Sequence, residues 1–541
     1  MKLAVFLVCY VLCIVQVYAQ STIDWVQTLG GSGEDRSEKI AVDVASNVYT
    51  IGYFRDTIGN LHSFGGADVL LTKHNADGQL LWMKQFGSID EDKGNDIAID
   101  KQGNIYICGE YRNGPLFYSG DSLNSAGTFD GFVAKLDTAG SILWIEAIQS
   151  AANELATAIA CDTSGNVYVG GTFQSSLQFQ QQILTGYGAL NNFLIKIDHQ
   201  GTLMWQEAMS TPITESIQAI EVGPFQDIYV VGSFRDVLYN ALDTLFSVSF
   251  HDIFLAKYSA SGQFDYWKGF GGASSDYGYA LVVDTASIYM AGVFEGIANF
   301  DNQTINSTGE LDVCLLRCSL DGTVEWVQNI SGLDDSRPLD LALDASSVWM
   351  VGYYDGLAWS GQDSIYSRDS RHVPSDVFLA QFQKNGQSLS LFSYGGAQLD
   401  FGSSIAIRDS SLYLSGVFRD SAYFDSILVV SQNASADVFV LKLITLATST
   451  GKGLTGFSYQ LNLFPNPAKD IIQLHISTEK SSDFVISLVS VEGRVLDQMF
   501  NSEDSFGPQT IQYSVENLCK VLYYFVFKTV DGQIVLPFVK S

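Results

Sequence analysis

A seven-fold repeat of aromatic residues and glycine limits the possible folds of this chain more than any other feature of its sequence. An aromatic residue, a glycine three positions later and a second aromatic two positions after that recur at intervals of 57 to 64 residues. The seven instances begin at Tyr49, Tyr106, Tyr168, Tyr229, Tyr289, Trp349 and Tyr413. Because a fixed period of this length is typical of arrays whose units pack on their neighbours, we expect a repeat protein.

Each repeat contains four strand-like apolar segments, for example residues 156–162, 167–173, 193–198 and 203–208. Four strands in about sixty residues are typical of one blade of a β-propeller. The segment around Trp25 reads as a fourth strand without the preceding three, whereas the last repeat has three strands and no fourth. We therefore predict an all-β, seven-bladed β-propeller over residues 20–447, closed by its N-terminal strand.

The N-terminus and the overall charge indicate where the protein works. Lys2, an apolar run over residues 3–17 and a small residue at Ala19 predict a signal peptide over residues 1–19. No later apolar run is long enough to span a bilayer, so no transmembrane segment is expected. A balance of 59 acidic against 29 basic residues gives a net charge of -30. Because such a surface repels phosphate backbones, nucleic acid is not an expected partner.

The repeats resemble the bacterial seven-bladed β-propeller repeat family. The resemblance rests on segments such as Ile97-Ala98-Ile99-Asp100, Gly103-Asn104-Ile105-Tyr106 and residues 132–137, and it covers about four fifths of the chain. It implies the propeller fold and adds little about function, since propellers host many unrelated activities.

The C-terminal part of the chain is predicted to form a second module. Residues 448–460 are small and polar and are typical of a linker, and the short strands over residues 461–541 suggest a small β-sandwich. This module resembles the C-terminal sorting domain of the type IX secretion system through Pro465, Asn466, Pro467, Asp470, Gly493 and Lys540. The resemblance implies the type IX machinery as a partner and a location outside the cell or on the outer-membrane surface. The alternative is a terminal sandwich domain that binds a ligand.

An acidic residue precedes the first strand of every repeat. In a closed propeller these residues would form a ring near one mouth of the central channel, where carboxylates suit Ca²⁺. The alternative is that each carboxylate caps a turn or pairs with a nearby base. The seven candidate metal ligands are Asp35, Asp92, Glu154, Glu215, Asp276, Asp335 and Asp400.

The connection over residues 355–375 is the preferred candidate for ligand recognition, because loops on a rigid scaffold commonly carry specificity. An ordinary surface loop is the alternative. The candidate ligand-binding residues are Trp359, Tyr366, Arg368, Arg371 and His372.

The sequence contains no set of residues that marks a known catalytic centre. Its six histidines are scattered without metal-ligand spacing, and neither a phosphate-binding loop nor a nucleophile elbow is present. We therefore expect a secreted or cell-surface module that binds a glycan or protein without catalysis, as in adhesion. The alternative is a secreted polysaccharide-degrading enzyme, a glycosidase or lyase. A glycosidase would require two carboxylates about 5 to 9.5 Å apart.

Overall fold

The computed structural model describes residues 20–188, 190–211, 215–367 and 375–446, and after these 459–464, 471–478, 484–490, 495–501, 509–516, 518, 522–529 and 532–539. Over these residues the protein is all-β, apart from a single turn of 3₁₀-helix at Gln432–Ala434. No helix there is long and apolar enough to cross a membrane. The predicted signal peptide and residues 448–458 of the predicted linker lie outside the described residues. The chain divides into two compact units, one of which covers Thr22–Ile444.

The first compact unit consists of seven groups of four antiparallel strands, which we number one to seven along the chain. The first strands are Asp35–Val42, Lys93–Ile99, Glu154–Cys161, Glu215–Val222, Tyr277–Val283, Ser336–Leu343 and Phe401–Arg408. The second strands are Val48–Ile58, Ile105–Arg112, Val167–Phe173, Ile228–Tyr239, Ser287–Phe294, Ser347–Tyr354 and Ser411–Arg419. The third strands are Leu61–His74, Phe129–Leu136, Leu190–Ile197, Thr244–Tyr258, Asp312–Ser319, Asp376–Gln383 and Ala436–Leu446. The fourth strands are Leu80–Phe86, Ile142–Gln149, Leu203–Thr211, Phe264–Gly272, Val324–Gly332, Ser388–Gly396 and, for group seven, Gln20–Leu29.

The order of strands in group seven places the start of the chain beside its last repeat. Gln20–Leu29 is the neighbour of Ala436–Leu446, in a sheet completed by the first and second strands of that group. The first strands of successive groups contact one another, and the first strand of group seven contacts that of group one. The first strands therefore follow one another in cyclic order.

Five groups contain a short hairpin between the second and third strands, where only a loop was predicted from the sequence. Their strands are Leu116–Tyr118 with Asp121–Leu123, Ser176–Phe179 with Gln182–Thr185, Ile297–Phe300 with Gln303–Asn306, Leu357–Ser360 with Asp363–Tyr366, and Ser421–Phe424 with Ile427–Val430. Four of these five hairpins pair with the fourth strand of the preceding group, as in the pairings Ile148 with Phe179 and Gly272 with Ala298. The hairpin of group two is joined by a single bridge between Phe117 and Gly87, directly after the preceding fourth strand. The sheets are therefore joined through main-chain hydrogen bonds.

The aromatic residues of the repeat lie in the core between groups. Tyr49 is fully buried, its hydroxyl donates to Asp43 Oδ2 at 3.0 Å, and Lys73 Nζ lies 5.0 Å from the centre of its ring. The fourth-strand tryptophans connect neighbouring groups: Trp205 Nε1 donates to the Ala260 carbonyl at 3.2 Å. In group four this contact is made by Tyr266 rather than by the neighbouring Trp267, because the Tyr266 hydroxyl donates to the Leu320 carbonyl at 3.1 Å.

The second compact unit contains two antiparallel sheets. One has the order Tyr459–Phe464, Ile471–Thr478, Gln509–Ser514, and the other has the order Val495–Asn501, Phe484–Ser490, Leu522–Thr529, Gly532–Val539. The ring of Tyr513 in the first sheet lies edge-on to that of Phe525 in the second, with centres 5.5 Å apart. Ile472 and Ile486, one from each sheet, are buried.

Candidate functional site

Five of the seven acidic residues predicted to ring the channel are buried at the joints between groups. Asp35, Asp92, Glu154, Asp276 and Asp400 have no exposed surface. Each accepts a hydrogen bond from the residue four positions earlier, in the connection from the preceding fourth strand; for Asp35 and Asp276 the donors are Gly31 N and Gly272 N, both at 2.7 Å. The side chain of Glu215 lies outside the described residues. These carboxylates accept hydrogen bonds that hold the chain in place between one group and the next, which is the alternative left open in the sequence analysis.

The environment of these carboxylates favours their protonated form. Burial raises the pKa of Asp35, Asp92, Glu154 and Asp276 to about 7, against backbone hydrogen bonds that lower it. Over the part of the chain that the structure describes, no three Asp, Glu, His or Cys residues form a group able to hold a metal ion. The geometry gives the calcium prediction no support.

In group six the candidate Asp335 lies one residue before the position that is equivalent to the other candidates. Ser336, not Asp335, faces Tyr354 at the position that Asp35 occupies opposite Phe54. Ser336 is fully buried, whereas Asp335 is partly exposed and lies 3.8 Å from Arg337. The connection before this strand has the usual length, since Ser336 follows Gly332 by four residues as Asp276 follows Gly272, so group six has serine where the other described groups have an acidic residue.

The recognition candidate over residues 355–375 is partly a hairpin rather than a loop. Trp359 pairs with Ser331 of the preceding group and faces Ser364 within the hairpin. Tyr366 faces Leu357 and is 62% exposed. Arg368, Arg371 and His372 lie outside the described residues, as do the sorting-signal residues Pro465, Asn466, Pro467, Asp470, Gly493 and Lys540. A binding role for this connection stays a prediction.

A β-bulge interrupts the first strand of every group, at the fourth residue of the repeated pattern. In group one, Ser37 pairs with Gly52 and Lys39 with Ile51, which leaves Glu38 without a partner residue on the second strand. Bulges redirect side chains and are frequent beside functional sites. The seven bulge residues are Glu38, Asn95, Thr157, Gln218, Tyr279, Leu339 and Ser403.

The glycine of the seven-fold repeat makes this bulge possible. A Cβ atom on Gly52 would lie 2.0 Å from the carbonyl oxygen of Arg36, and one on Gly232 would lie 2.0 Å from that of Ser216. A Cβ atom on any of the other five repeat glycines would likewise lie within 2.4 Å of the equivalent carbonyl oxygen. Only a residue without a side chain allows this approach, so the repeated glycine and the bulge form one structural device.

All seven bulge residues line one cavity of about 300 Å³, together with Lys39, Lys93 and Glu110. We call this space the bulge chamber. Its volume is at the lower end of the range for small-molecule sites. Because each group supplies one bulge residue, the chamber lies where the seven first strands meet.

The walls of the bulge chamber are polar, with hydrogen bonds that fix some of the side chains. Asn95 Nδ2 donates to the Ala156 carbonyl at 2.8 Å, and Thr157 Oγ1 donates to the Ile217 carbonyl at 2.7 Å, each in the following group. Glu38 has no hydrogen bond or ion pair with another described residue. Burial raises its pKa, against the opposing effect of Arg36 and the lysines Lys93 and Lys39. Amide, hydroxyl and carboxyl groups directed into one small space suit a ligand with many hydroxyls.

Lys39 separates the bulge chamber from a second cavity. Its Nζ lies 3.0 Å from Asp340 Oδ1. Asp340 also accepts hydrogen bonds from Ile405 N at 3.1 Å and from the Ser404 hydroxyl, so it is fixed to group seven. Burial alone would lower the pKa of Lys39, but Asp340 and Asp96 raise it above its usual value. Lys39 is therefore held as a cation at the centre of the first strands.

The second cavity has a volume of about 270 Å³ and is lined by later residues of the first strands. We call it the Glu221 chamber. Lys39, Asp96, Asp340 and Glu221 contribute its charges, and Ala98, Ala160, Ala219 and Val282 are among its apolar lining residues. Burial, followed by the charges of Asp340 and Asp96, raises the pKa of Glu221 to about 8.

A further cavity, of about 590 Å³, lies away from the first strands. It is formed by the long hairpin of group one and the short hairpin of group two. The rings of Phe64 and Phe117 in its lining meet edge-on, with centres 5.9 Å apart, and Phe64 is 54% exposed.

Sequence reasoning missed the bulge residues and Lys39, although a signal for them exists. Each bulge residue follows the residue that opens the first-strand pattern by three positions, as Glu38 follows Asp35 and Gln218 follows Glu215. Only the acidic residue stands out in the sequence, because the position three residues beyond it varies from repeat to repeat.

Family comparisons agree with the architecture and the tail. Residues 81–110 match the family described as Beta-propeller repeat, and residues 462–541 match the family described as Secretion system C-terminal sorting domain. These matches confirm the resemblance to a propeller repeat family with a type IX sorting domain. The fold and the tail define an all-β repeat protein that is secreted or displayed at the cell surface, with the type IX machinery as its implied partner.

Two curated proteins are distantly similar to this chain. An uncharacterized WD repeat-containing protein of Acanthamoeba polyphaga mimivirus is 24% identical over 60% of this chain and 24% of its own length. The regulatory protein FlaEY of Caulobacter vibrioides is 25% identical over 56% of this chain and 34% of its own length. The chain thus spans about a quarter to a third of the length of these relatives.

Two solved structures have a low similarity to this chain. The GH43 protein BlXynB of Bacillus licheniformis has a TM-score of 0.24 and 10% identity, over 78% of this chain and 100% of that chain. Dimeric latent PorU of Porphyromonas gingivalis has a TM-score of 0.14 and 9% identity, over 83% of this chain and 32% of that chain.

Proposed function

We propose that this protein is a secreted or cell-surface binding or adhesion module that recognises a glycan through the bulge chamber, without catalysis. The observation that carries the proposal is the repeated β-bulge, which directs one side chain from each of seven groups into a single cavity. Six of these seven side chains carry hydrogen-bonding groups, which match the hydroxyls of a sugar. A protein ligand at the cell surface is the second class of partner.

The proposed architecture is a seven-bladed β-propeller over residues 20–447, closed by its N-terminal strand. The cyclic contacts of the first strands and the position of Gln20–Leu29 beside Ala436–Leu446 support it. The proposed division of the remaining chain is a signal peptide at 1–19, a linker at 448–460 and a sorting β-sandwich at 461–541.

Two further contact surfaces remain proposals. The hairpin and connection with Trp359, Tyr366, Arg368, Arg371 and His372 would extend recognition beyond the chamber. Calcium binding at the acidic residues of the joints is also only proposed. It has weaker support, because each buried carboxylate at the joints already accepts a local hydrogen bond.

A glycan-array screen of the exported protein tests the proposal. Binding to a restricted set of glycans, weakened about tenfold by Glu38→Gln through loss of a charged hydrogen-bond acceptor, is the expected result. Glu207→Gln is the matched control, because Glu207 is exposed on the fourth strand of group three. Equal binding by wild type and Glu38→Gln would place recognition elsewhere.

The alternative function is a polysaccharide-degrading enzyme, and one observation favours it. Glu38 and Glu110 both line the bulge chamber, and the raised pKa of Glu38 would suit a general acid. Incubation of any bound polysaccharide with the protein distinguishes the two functions. New reducing ends that disappear in Glu38→Gln would establish a polysaccharide-degrading enzyme, and a constant number of ends supports the binding module.

A further inference from the structure

The Glu221 chamber contains an unbalanced set of charges that the proposed glycan site does not use. Three carboxyl groups, those of Asp96, Asp340 and Glu221, face a single ammonium group, that of Lys39. All four belong to first strands, from groups two, six, four and one respectively. The other side chains that line the cavity are apolar.

Two of the carboxyl groups already have partners. Asp96 accepts hydrogen bonds from Ile97 N and Ile159 N, both at 2.8 Å. Asp340 accepts from Lys39, Leu341 N and Ile405 N. Glu221 makes no hydrogen bond or ion pair with any residue that the structure describes.

The position of Glu221 directs this carboxyl group at the cavity. The equivalent residues in the other first strands are Ala41, Ala98, Ala160, Val282, Ala342 and Ala406. Where six groups have a small apolar side chain, the fourth has a long acidic one. The small residues leave space around the carboxyl group, which a second molecule can enter.

We propose that the Glu221 chamber binds a primary ammonium group at the end of a slender alkyl chain, with Glu221 as its ion-pair partner. Ala98, Ala160 and Val282 would contact the alkyl part, and Lys39 would remain paired with Asp340. A metal ion fits less well, since the described part of the chain has no three ligating groups arranged around one point. This site is separate from the glycan site, and either can exist without the other.

Calorimetric titration of the exported protein with n-butylamine hydrochloride tests the proposal, with n-butanol and calcium chloride as probes of the apolar and charged parts alone. The expected result is saturable binding of butylamine, with much weaker binding of butanol and of calcium. Glu221→Gln should weaken butylamine binding at least tenfold, because a charged partner is replaced by a neutral one of the same shape. Glu207→Gln should bind like wild type.

Equal binding of butanol and butylamine, preferential binding of calcium, or unchanged butylamine binding by Glu221→Gln would each overturn the proposal. Should Glu221→Gln fail to fold, the pH dependence of the wild type gives a second test. Glu221 must ionise to pair with the ammonium group, and the charges of Asp340 and Asp96 oppose this while Lys39 assists it. Because its pKa is about 8, affinity should rise between pH 6 and pH 9. A constant affinity over that range would contradict the site.

Discussion

Lys39 Nζ lies 3.0 Å from Asp340 Oδ1, an ion pair that reaches from group one to group six past the intervening first strand of group seven. Ser404 and Ile405 of group seven donate to the same carboxylate. Three groups are thereby connected where the first strands meet. The lysine also lines both cavities, so a single side chain separates the proposed glycan site from the Glu221 chamber.

Removing this lysine should destabilise the protein. In Lys39→Met, the carboxylate of Asp340 remains in a largely buried site without its cation, which typically costs on the order of 3 kcal/mol. The midpoint of urea unfolding of the first compact unit measures the effect. The double variant Lys39→Met with Asp340→Leu should recover part of the loss. A single variant as stable as wild type would show that the pair contributes nothing.

The repeat glycines should resist substitution because of the bulge. In Gly232→Ala the new methyl group would overlap the Ser216 carbonyl, with an expected loss of about 1–3 kcal/mol of stability. Gly114→Ala is a suitable control, because its Cβ would meet only Ile89, at an ordinary distance of 3.4 Å. Chemical unfolding compares the two variants. Similar stabilities would contradict the link between the glycine and the bulge.

The buried carboxylates at the joints between groups should make the protein more stable in mild acid than at neutral pH. Asp35, Asp92, Glu154 and Asp276 have pKa values of about 7 in the folded state, against usual values of 3.8 for Asp and 4.5 for Glu. The folded state therefore binds more protons between about pH 4 and pH 7, and stability falls as the pH rises through this window.

Two histidines oppose this trend. Burial lowers the pKa of His74 to about 4 and also lowers that of His251, so these two groups favour the folded state as the pH rises, against the four carboxylates. Thermal unfolding should give a higher Tm at pH 5 than at pH 8. Asp252→Asn, which removes the charge beside Asp276, should reduce the difference. A Tm that increases steadily from pH 5 to pH 8 would contradict this prediction.

Chelation should leave the stability of the protein unchanged. The described joint carboxylates accept hydrogen bonds from the connections they fasten, so we expect the same Tm with and without EDTA. If EDTA changes the Tm, adding an excess of calcium shows whether the loss of calcium caused that change. A Tm that EDTA lowers and calcium restores would revive the calcium hypothesis of the sequence analysis.

The sequence contained enough information for the strand pattern but not for the site. The aromatic residue and glycine at Tyr49 and Gly52 marked the second strand correctly, because alternation along a buried strand is local. The reason for the glycine lies in the carbonyl of Arg36 on another strand, which no local pattern reveals. The candidate position was consequently placed at Asp35 rather than at Glu38, which lines the proposed site.

The short hairpins were missed for a related reason. Strands of three or four residues, such as Leu357–Ser360, carry too little periodicity to be recognised, and their partners belong to the preceding group. The ion pair of Lys39 with Asp340 joins positions distant in the chain, so only the assembled first strands bring it together.

Blocking the bulge chamber tests the location of the proposed binding site most directly. In Leu339→Trp the larger ring would occupy the cavity, whereas in Leu143→Trp it would lie on a fourth strand, where Leu143 is 54% exposed. Binding of the glycans selected on the array is measured for wild type and both variants, after each has been shown to unfold at a similar temperature. If glycans bind in the bulge chamber, binding should be lost in Leu339→Trp alone; undiminished binding by this variant would contradict the proposed site.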